Sequence, residues 1–299
     1  MDIAVLFWFY KNTKVCAERL ERFRRINPSI KIYALYGGDP TGRERAFFAI
    51  NHLVDDFYSF NEQREPKWKW KNGDHLIANW FLNRGHSLEW SHIFVMQWDM
   101  LILKNPLKDI LRNMQPEQVL LSGFTDFKEV SQWWGWSKNY PGEISKFKNY
   151  LFDKFAYDGP LYACLFIVVC LPRTFLSKYA STAITELGFL EYKVPTIAKI
   201  FGFEICYDSQ FSPWWAANPA TTNISKSKKV LNASRVDIDL MTIFNELINP
   251  SGRRIFHPYG KSFPVFLESK AFINLATALF GLPKTFLCKL KRRLRSNNT

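Results

Sequence analysis

Several protein classes are disfavoured by what this sequence lacks. Its five cysteines are odd in number and form no CxxC pair, which argues against a zinc ribbon and against a disulfide framework. No apolar run reaches the roughly 20 residues that a transmembrane helix requires. The first ten residues have neither the basic lead nor the small-residue cleavage site of a signal peptide, and they are typical of a strand. We therefore expect reduced thiols and a cytoplasmic protein.

The charge of the chain suggests nucleic-acid binding as an alternative function. Forty Lys and Arg against 27 Asp and Glu give a formal net charge of +13, which favours nucleotides, nucleic acid or an anionic membrane as partners. The run Lys67-Trp68-Lys69-Trp70-Lys71 places aromatic rings between basic groups, as single-strand binding proteins do. No zinc-finger, RNP or helix-turn-helix signature accompanies the run. A loop or edge strand with extended lysines is its commoner origin, so we expect no nucleic-acid partner.

Apolar and aromatic residues dominate what is present. Hydrophobic residues make up 47% of the 299 and aromatic residues 17%, with 27 Phe, 12 Tyr and 11 Trp. A chain of this length can bury a large core, as one large α/β domain or as two smaller ones. The aromatic excess suits a site that stacks on bases or sugar rings.

The N-terminal third is patterned as a β-α-β unit. Ile3 to Phe9 is predicted to be a buried strand, Val15 to Arg25 a helix and Ile30 to Leu35 a second strand. Strand, crossover helix and strand imply a parallel sheet. The ligand crevice of such a sheet lies at the carboxyl ends of its strands.

Later elements are predicted from shorter patterns. A helix is expected at 75 to 84, with Asp74 as its N-cap. Residues 126 to 160 are expected to form a loop-rich insertion whose tryptophans line one wall of a substrate site. Tyr162 to Leu171 is predicted to be one dense apolar strand.

The stretch from Ser91 to Leu103 delivers one acidic group, Asp99, between two apolar runs. An unpaired charge in an apolar setting is costly, so Asp99 is expected to meet a cation, a metal ion or a set of hydrogen-bond donors. At the end of a strand it would lie where open α/β sheets bind ligands. The pattern predicts a carboxylate that holds a divalent ion against a phosphate. An ordinary turn residue or helix cap is the open alternative.

The order of three features resembles a known enzyme family. The β-α-β start, the strand-end Gln97-Trp98-Asp99 and the late His257-Pro258 are similar to the pattern of the GT-A glycosyltransferases, the nucleotide-diphospho-sugar transferases. The resemblance covers roughly residues 3 to 262. It implies an α/β fold of the GT-A type, with a Rossmann-like, mostly parallel central sheet flanked by helices.

The residue pattern divides the chain in two. The GT-A-like catalytic domain is expected to cover residues 1–263, and a C-terminal helical tail is expected over residues 264–299, where an apolar helix precedes a basic end. Such a tail suits an interfacial helix on an anionic leaflet, which would place the protein peripherally on the inner face of a membrane. A helix packed on the catalytic body, with a frayed basic end, is the equal alternative.

A metal site follows from the resemblance. In this family a DxD motif binds a divalent metal on the diphosphate of the sugar nucleotide, and a later His often adds a ligand. Asp99 and His257 are therefore the implied ligands, with Mn²⁺ or Mg²⁺ as the ion. Gln97 occupies the position of the first acidic residue, and Lys261 is expected to add a positive charge beside the diphosphate. A metal-free site, with His257 as a plain strand end and Lys261 solvated, is the alternative.

A catalytic base is implied ahead of a short helix predicted at 195 to 201. The family places a catalytic carboxylate in such a position, where Glu191 fits best and Glu186 is the fallback. In an inverting transfer the base removes the proton of the acceptor hydroxyl. Exposed surface carboxylates are the alternative for both residues.

Further residues are implied to contact the donor nucleotide. In the family, the end of the first strand contacts the base and ribose, and an acidic residue reads the base edge. The residues of this sequence assigned to that contact are Phe9, Tyr10, Asp55, Asp56, Asp74, Gln97 and Trp98. Turn or helix capping is the alternative role of the three aspartates.

The implied reaction moves a sugar from a nucleotide-diphospho-sugar to a glycan or lipid-linked acceptor. Its oxocarbenium-like transition state releases a nucleoside diphosphate whose growing charge a metal and nearby cations would offset. A catalytically inactive sugar-nucleotide binder, a nucleotidyltransferase and a basic nucleic-acid-binding protein are the alternatives. Residues Tyr10 to Lys14 lack the glycine-rich loop that a nucleotidyltransferase normally has after its first strand.

Overall fold

The computed structural model describes residues 1–182, 184–221, 223–234, 236–249 and 251–269. The strands are β1 (Ile3–Phe9), β2 (Ile32–Tyr36), β3 (Asp56–Ser59), β4 (His92–Gln97), β5 (Leu101–Ile102), β6 (Gln118–Leu121), β7 (Thr125–Asp126), β8 (Tyr162–Ala163), β9 (Val169–Pro172), β10 (Glu204–Cys206) and β11 (Ile255–Phe256). The α-helices are α1 (Thr13–Ile26), α2 (Arg43–Ile50), α3 (Pro66–Lys71), α4 (Gly73–Asn83), α5 (Leu107–Ile110), α6 (Phe127–Val130), α7 (Gly135–Lys138), α8 (Pro141–Phe155), α9 (Arg173–Thr182), α10 (Leu190–Ile200) and α11 (Leu240–Ile248).

The central sheet of the described chain has the strand order β10-β6-β9-β4-β1-β2-β3. Strand β1 pairs in parallel with β2 and β4, while β9 runs antiparallel between β4 and β6. The predicted β-α-β unit is therefore confirmed as β1-α1-β2. The predicted α/β fold, with a mostly parallel central sheet flanked by helices, is confirmed too. The carboxyl ends of β1, β2, β3 and β4 share one edge of this sheet.

Two hydrophobic clusters cover the two faces of the sheet. Leu6 and Trp8 of β1 belong to one cluster, and Val5 and Phe7 belong to the other, as the pleat of a strand requires. Residues of α4, α9 and α10 close the first cluster, and residues of α1 close the second. Because both faces are covered, every residue of β1 is buried, which explains its continuous apolar sequence.

The structure corrects three predicted elements. Residues 126 to 160, predicted to be a loop-rich insertion, contain the 15-residue helix α8, which buries Phe147 and Leu151. The single strand predicted from 162 to 171 is two strands, β8 and β9, which belong to different sheets. The tryptophan-lysine run of 67 to 71 is part of helix α3. Short apolar patterns fit more than one element, and tertiary packing decides between them.

Two buried arginines tie the late part of the described chain to α1. Arg19 Nη2 donates to the carbonyl oxygens of Tyr259 and Lys261, each at 2.7 Å. Arg22 Nη2 donates to the carbonyl oxygen of Phe263 at 3.0 Å. The segment that follows β11 is therefore fixed against the first helix of the β-α-β unit.

The predicted C-terminal tail lies largely outside the described residues. Its first part includes a short 3₁₀ helix, Val265–Glu268, whose Glu268 pairs with Arg22 at 2.5 Å. The predicted apolar helix and basic end, residues 271 to 295, follow the last described residue. Among the helices that the structure describes, none is long and apolar enough to cross a bilayer.

Replacing Gly73 by Ala is expected to destabilise the fold by about 1–3 kcal/mol. A Cβ at Gly73 would lie 2.2 Å from the buried ring of Trp8, in a close-packed interior. Gly142 is the matched control, since it also lies in the first turn of a helix and no described atom lies within 4 Å of a Cβ built there. Gly142→Ala should leave the stability unchanged or raise it by up to about 1 kcal/mol. Urea denaturation measures both variants, and equal stabilities would contradict this packing.

Candidate functional site

The turn after β4 carries Asp99 at the carboxyl edge of the sheet. Trp98 N–H donates to Trp8 O at 3.0 Å, which holds the turn against the end of β1. Strands β5 and β11 pair antiparallel, and Tyr259 N–H donates to Asp99 O at 2.7 Å. This ladder brings His257, which directly follows β11, beside Asp99.

Asp99 and His257 face each other, and we call them the Asp99/His257 pair. His257 Nε2 lies 3.3 Å from Asp99 Oδ1, and the two side chains are 7% and 18% exposed. The other ring nitrogen, Nδ1, lies 2.7 Å from the carbonyl oxygen of Asn232. A carbonyl only accepts, so Nδ1 carries a proton, and Nε2 faces the carboxylate with a lone pair in the neutral ring and with an N–H in the imidazolium. Among the described residues, Nε2 and Oδ1 have no partner other than each other.

The pKa values of the pair reflect this arrangement. Burial raises the pKa of Asp99, but the charges of His257 and Lys11 help to bring it below its usual value. Burial lowers the pKa of His257, and the charge of Asp99, the contact with Asn232 and the charge of Glu191 together reverse that shift. The pair therefore favours a cation between its two facing atoms, which a proton or a divalent metal ion can supply.

The residues of the pair fit a metal ion that is bound together with a phosphate ligand. Asp99 Oδ1 and His257 Nε2 are convergent, buried donor atoms of the kinds that Mn²⁺ accepts. Within the described part of the chain, no group of three or more His, Cys, Asp or Glu side chains could hold an ion by itself. An ion here would take its remaining ligands from phosphate oxygens and water, as Mg²⁺ commonly does.

Lys11 supplies a positive charge at this edge that the motifs did not identify. Its Nζ lies 4.9 Å from the centroid of the Trp98 ring and 5.2 Å from that of Tyr10. Trp98 is buried and meets the half-exposed Tyr10 edge to face at 5.9 Å. Phe9, in contrast, lies fully inside the core. The sequence feature that could have identified Lys11 is its position, because it is the first cationic residue after β1, at the edge of the sheet where ligands bind.

Glu191 lies in the first turn of α10, and not ahead of the helix as predicted. The pattern took Pro195 as the start of the helix, whereas this proline lies inside it. Glu191 Oε1 accepts from Phe166 N–H at 2.8 Å. Burial raises the pKa of Glu191 to about 8, with partial offsets from that hydrogen bond and from the charge of His257. Glu191 is therefore close enough to the Asp99/His257 pair to interact with it electrostatically.

Asp55 and Asp56 are not brought to this edge. They lie at the start of β3, and the parallel register puts the amino ends of the strands at the opposite edge of the sheet. Asp55 accepts from Ile32 N–H at 2.8 Å and forms an ion pair with Arg24. Asp56 forms an ion pair with Arg84. Both carboxylates therefore connect neighbouring elements.

Asp74 forms a buried ion pair that links α4 to α10. The N-cap of α4 is Asn72, so the predicted capping role of Asp74 is wrong. Asp74 Oδ2 lies 3.0 Å from Lys193 Nζ and accepts from the Tyr179 hydroxyl at 2.5 Å. Lys193 is fully buried and lies two residues after Glu191. The ion pair consequently anchors the first turn of α10.

Glu186 and Lys261 have exposed side chains with other partners. Glu186 accepts from Trp68 Nε1 at 3.0 Å and pairs with Arg64 at 3.2 Å. Lys261 Nζ lies 3.7 Å from Asp237 Oδ2. The structure thus places Asp99 beside His257, with Glu191 near enough to affect the pKa of His257, while Glu186 and Lys261 pair with Arg64 and Asp237.

The titration of Glu191 should make stability depend on pH. Burial raises its pKa from 4.5 to about 8, so between these values the folded chain holds a proton that the unfolded chain has released. The free energy of unfolding should therefore fall as the pH rises through this window. Glu191→Gln removes this titration and should change the slope by up to about 1.4 kcal/mol per pH unit. Urea denaturation between about pH 5 and 8 measures the slope.

Glu186→Gln is the matched control for that measurement. Its carboxylate is half exposed, and the hydrogen bond from Trp68 lowers its pKa, so it stays ionised over the same window. Its replacement should leave the slope unchanged. Identical slopes for the wild type and Glu191→Gln would mean that Glu191 ionises normally in the folded chain.

The comparisons with known proteins found likenesses to solved structures of low sequence identity. No family model and no curated protein matches the chain. The galactosyltransferase LgtC, solved with donor and acceptor sugar analogues, is 14% identical over 97% of this chain and 100% of its own, with a TM-score of 0.38. A cytidylyltransferase from Leptospira borgpetersenii is 10% identical over 69% of this chain and 74% of its own, with a TM-score of 0.38. Mouse xyloside xylosyltransferase 1 is 10% identical over 72% of this chain and 87% of its own, with a TM-score of 0.38. With TM-scores of 0.38, these likenesses assign no activity to this chain.

Proposed function

We propose that this protein is a glycosyltransferase that uses a nucleotide-diphospho-sugar donor and a divalent metal ion, Mn²⁺ or Mg²⁺. The observation that carries the proposal is the Asp99/His257 pair, whose facing ligand atoms are buried, 3.3 Å apart and without another partner in the described chain. The pair lies at the carboxyl edge of the sheet, where open α/β sheets bind nucleotides. Both atoms can ligate a cation, and a diphosphate can complete its coordination.

The residues around the pair suit the departing diphosphate. A bound divalent ion would offset the negative charge that develops on the leaving nucleoside diphosphate. Lys11, held over the Trp98 ring, adds a positive charge at the same edge. Arg19 and Asn12 hold the segment after His257 in place through the carbonyl oxygens of residues 259 to 261. A rigid site of this kind stabilises developing charge without reorganising during the reaction.

Glu191 is the proposed base, with Glu186 as the fallback. An inverting transfer needs a group that removes the proton of the acceptor hydroxyl. Burial raises the pKa of Glu191 to about 8, which makes its carboxylate a stronger base than an exposed one. Its ionised fraction grows with pH, so kcat should rise as the pH approaches about 8.

A carbohydrate acceptor is supported by an aromatic surface next to α10. Trp70 is 50% exposed, and its ring centroid lies 4.8 Å from that of Trp136. Trp136 stacks on Phe189 at 3.9 Å, and Phe189 is the N-cap residue of α10, two residues before Glu191. Flat aromatic rings with polar edges suit the apolar faces of sugars. We propose that a sugar of a glycan or lipid-linked acceptor packs on Trp70.

A thermal-shift panel tests the donor site. The chain is mixed with UDP-, GDP-, dTDP- and CMP-sugars and with CTP, each with and without Mn²⁺. We expect one sugar nucleotide to raise the Tm only when Mn²⁺ is present, because a ligand that binds the folded state stabilises it. Asp99→Asn and His257→Ala should each abolish the metal-dependent part of the shift.

Asp56→Asn is the matched control, since Asp56 lies at the opposite edge of the sheet and should leave the shift intact. A shift with CTP alone would favour a nucleotidyltransferase. A metal-dependent shift without sugar transfer would favour an inactive binder. The absence of any shift would contradict the proposed site.

Trp70→Ala is expected to raise the acceptor KM about fivefold, because one aromatic contact contributes about 1 kcal/mol beyond its buried area. The donor KM and the donor thermal shift should stay the same, since Trp70 is assigned to the acceptor. Phe152→Ala is the control, because it removes another exposed ring, 61% exposed on α8. Steady-state kinetics with glycan and lipid-linked acceptors measure the effect, and equal acceptor KM values for both variants would rule out this surface.

A further inference from the structure

The backbone N–H and the carbonyl oxygen of Phe166 are each held by a side chain of the candidate site. Glu191 Oε1 accepts from Phe166 N–H at 2.8 Å. Gln97 Nε2 donates to the carbonyl oxygen of the same residue at 2.5 Å. Phe166 is buried in the break between β8 and β9. Gln97, which stands at the position of the first acidic residue of the motif, is thus connected through Phe166 to Glu191, the proposed base.

The chemistry of this contact explains why an amide suits position 97. The carbonyl oxygen of Phe166 can only accept, so its partner must carry a proton. A carboxylate at position 97 would direct a negative oxygen at that carbonyl, whereas the Gln97 amide supplies a donor. The departure from the acidic motif therefore has a structural cause in this chain.

The segment around Phe166 is fixed at its neighbouring residues as well. Ser122 Oγ donates to the carbonyl oxygen of Leu165 at 2.6 Å and accepts from Val168 N–H at 3.2 Å. Cys164 N–H donates to the carbonyl oxygen of Glu191 at 2.8 Å. Phe166 itself is held at its N–H by Glu191 and at its carbonyl oxygen by Gln97.

We propose that Gln97 is a positioning residue for Glu191, which acts by fixing the carbonyl of Phe166 and thereby the backbone of the residue whose N–H holds the Glu191 carboxylate. The proposal rests on the proposed function for the role of Glu191 as the base. Gln97 belongs to the same turn as Asp99, because Met100 N–H donates to Gln97 O at 3.0 Å. One short turn thereby holds both the proposed metal ligand and the group that orients the proposed base.

The test replaces Gln97 by Met, which has a similar length and no donor. Loss of the contact frees the Phe166 carbonyl and loosens the backbone at this residue, so kcat should fall about tenfold, the effect of one lost hydrogen bond. The donor KM and the Mn²⁺-dependent thermal shift should stay within about twofold, since Asp99 and His257 are untouched. The pH at which kcat is half-maximal should move up, because the Phe166 hydrogen bond lowers the pKa of Glu191.

Gln210→Met is the matched control. Gln210 Nε2 also donates to a backbone carbonyl oxygen, that of Ile110, at 2.9 Å, but it contacts none of the site residues. This variant should keep the wild-type kcat and pH profile. Gln97→Glu is the second variant, which retains the shape of Gln97 and places a carboxylate against the Phe166 carbonyl. It should lose at least as much kcat as Gln97→Met.

A second readout needs no enzymatic activity. We compare the unfolding free energy of Gln97→Met with that of the double variant that also carries Glu191→Gln. The way this difference changes with pH reports the titration of Glu191 in the Gln97→Met background. An upward shift of this titration supports the proposal even when no sugar transfer is found, and then only the proposed function fails. Unchanged titration and unchanged kcat in Gln97→Met would overturn the positioning role. Loss of the Mn²⁺-dependent shift, as in Asp99→Asn, would also overturn it, by making Gln97 part of the metal site.

Discussion

The contact between Asp99 and His257 is the interaction on which the candidate site depends. Two ligand atoms, each buried and without another partner in the described chain, are held 3.3 Å apart by backbone pairing, since β5 pairs with β11 and Tyr259 N–H donates to Asp99 O. Arg19 supports the same segment from α1. The facing atoms favour a cation between them, which a proton or the proposed metal ion can supply.

Buried polar contacts also hold the first turn of α10 on two sides. Glu191 accepts from the Phe166 peptide, while Lys193 pairs with Asp74 inside the core. Breaking one partner of such a buried pair is strongly destabilising, so the turn has little freedom to move. Rigid support of this kind keeps a carboxylate in an apolar setting, which raises its pKa to about 8 and makes it a stronger base. Gln97 adds a hydrogen bond to the carbonyl oxygen of Phe166.

Local patterns predicted the elements of the N-terminal half well. The continuous apolar run of β1 and the amphipathic α1 each fit one kind of element, because a central strand is buried on both faces and a surface helix on one. The same reasoning failed for β8 and β9, where an apolar run hides a break at 164 to 168 that packing and hydrogen bonds impose. It also misplaced the start of α10, because Pro195 is tolerated within the helix.

The sequence by itself determined the class of fold and the presence of an acidic strand end at Asp99, because strand and helix periodicity and a carboxylate after an apolar run are local properties. Only the tertiary structure decided which distant groups meet there. The pairing of β5 with β11 places His257 beside Asp99, and the parallel register places Asp55 at the opposite edge of the sheet. Lys11 was brought over Trp98 by the juxtaposition of two strand ends. Such contacts depend on register and packing between segments far apart in the chain, which no local pattern encodes.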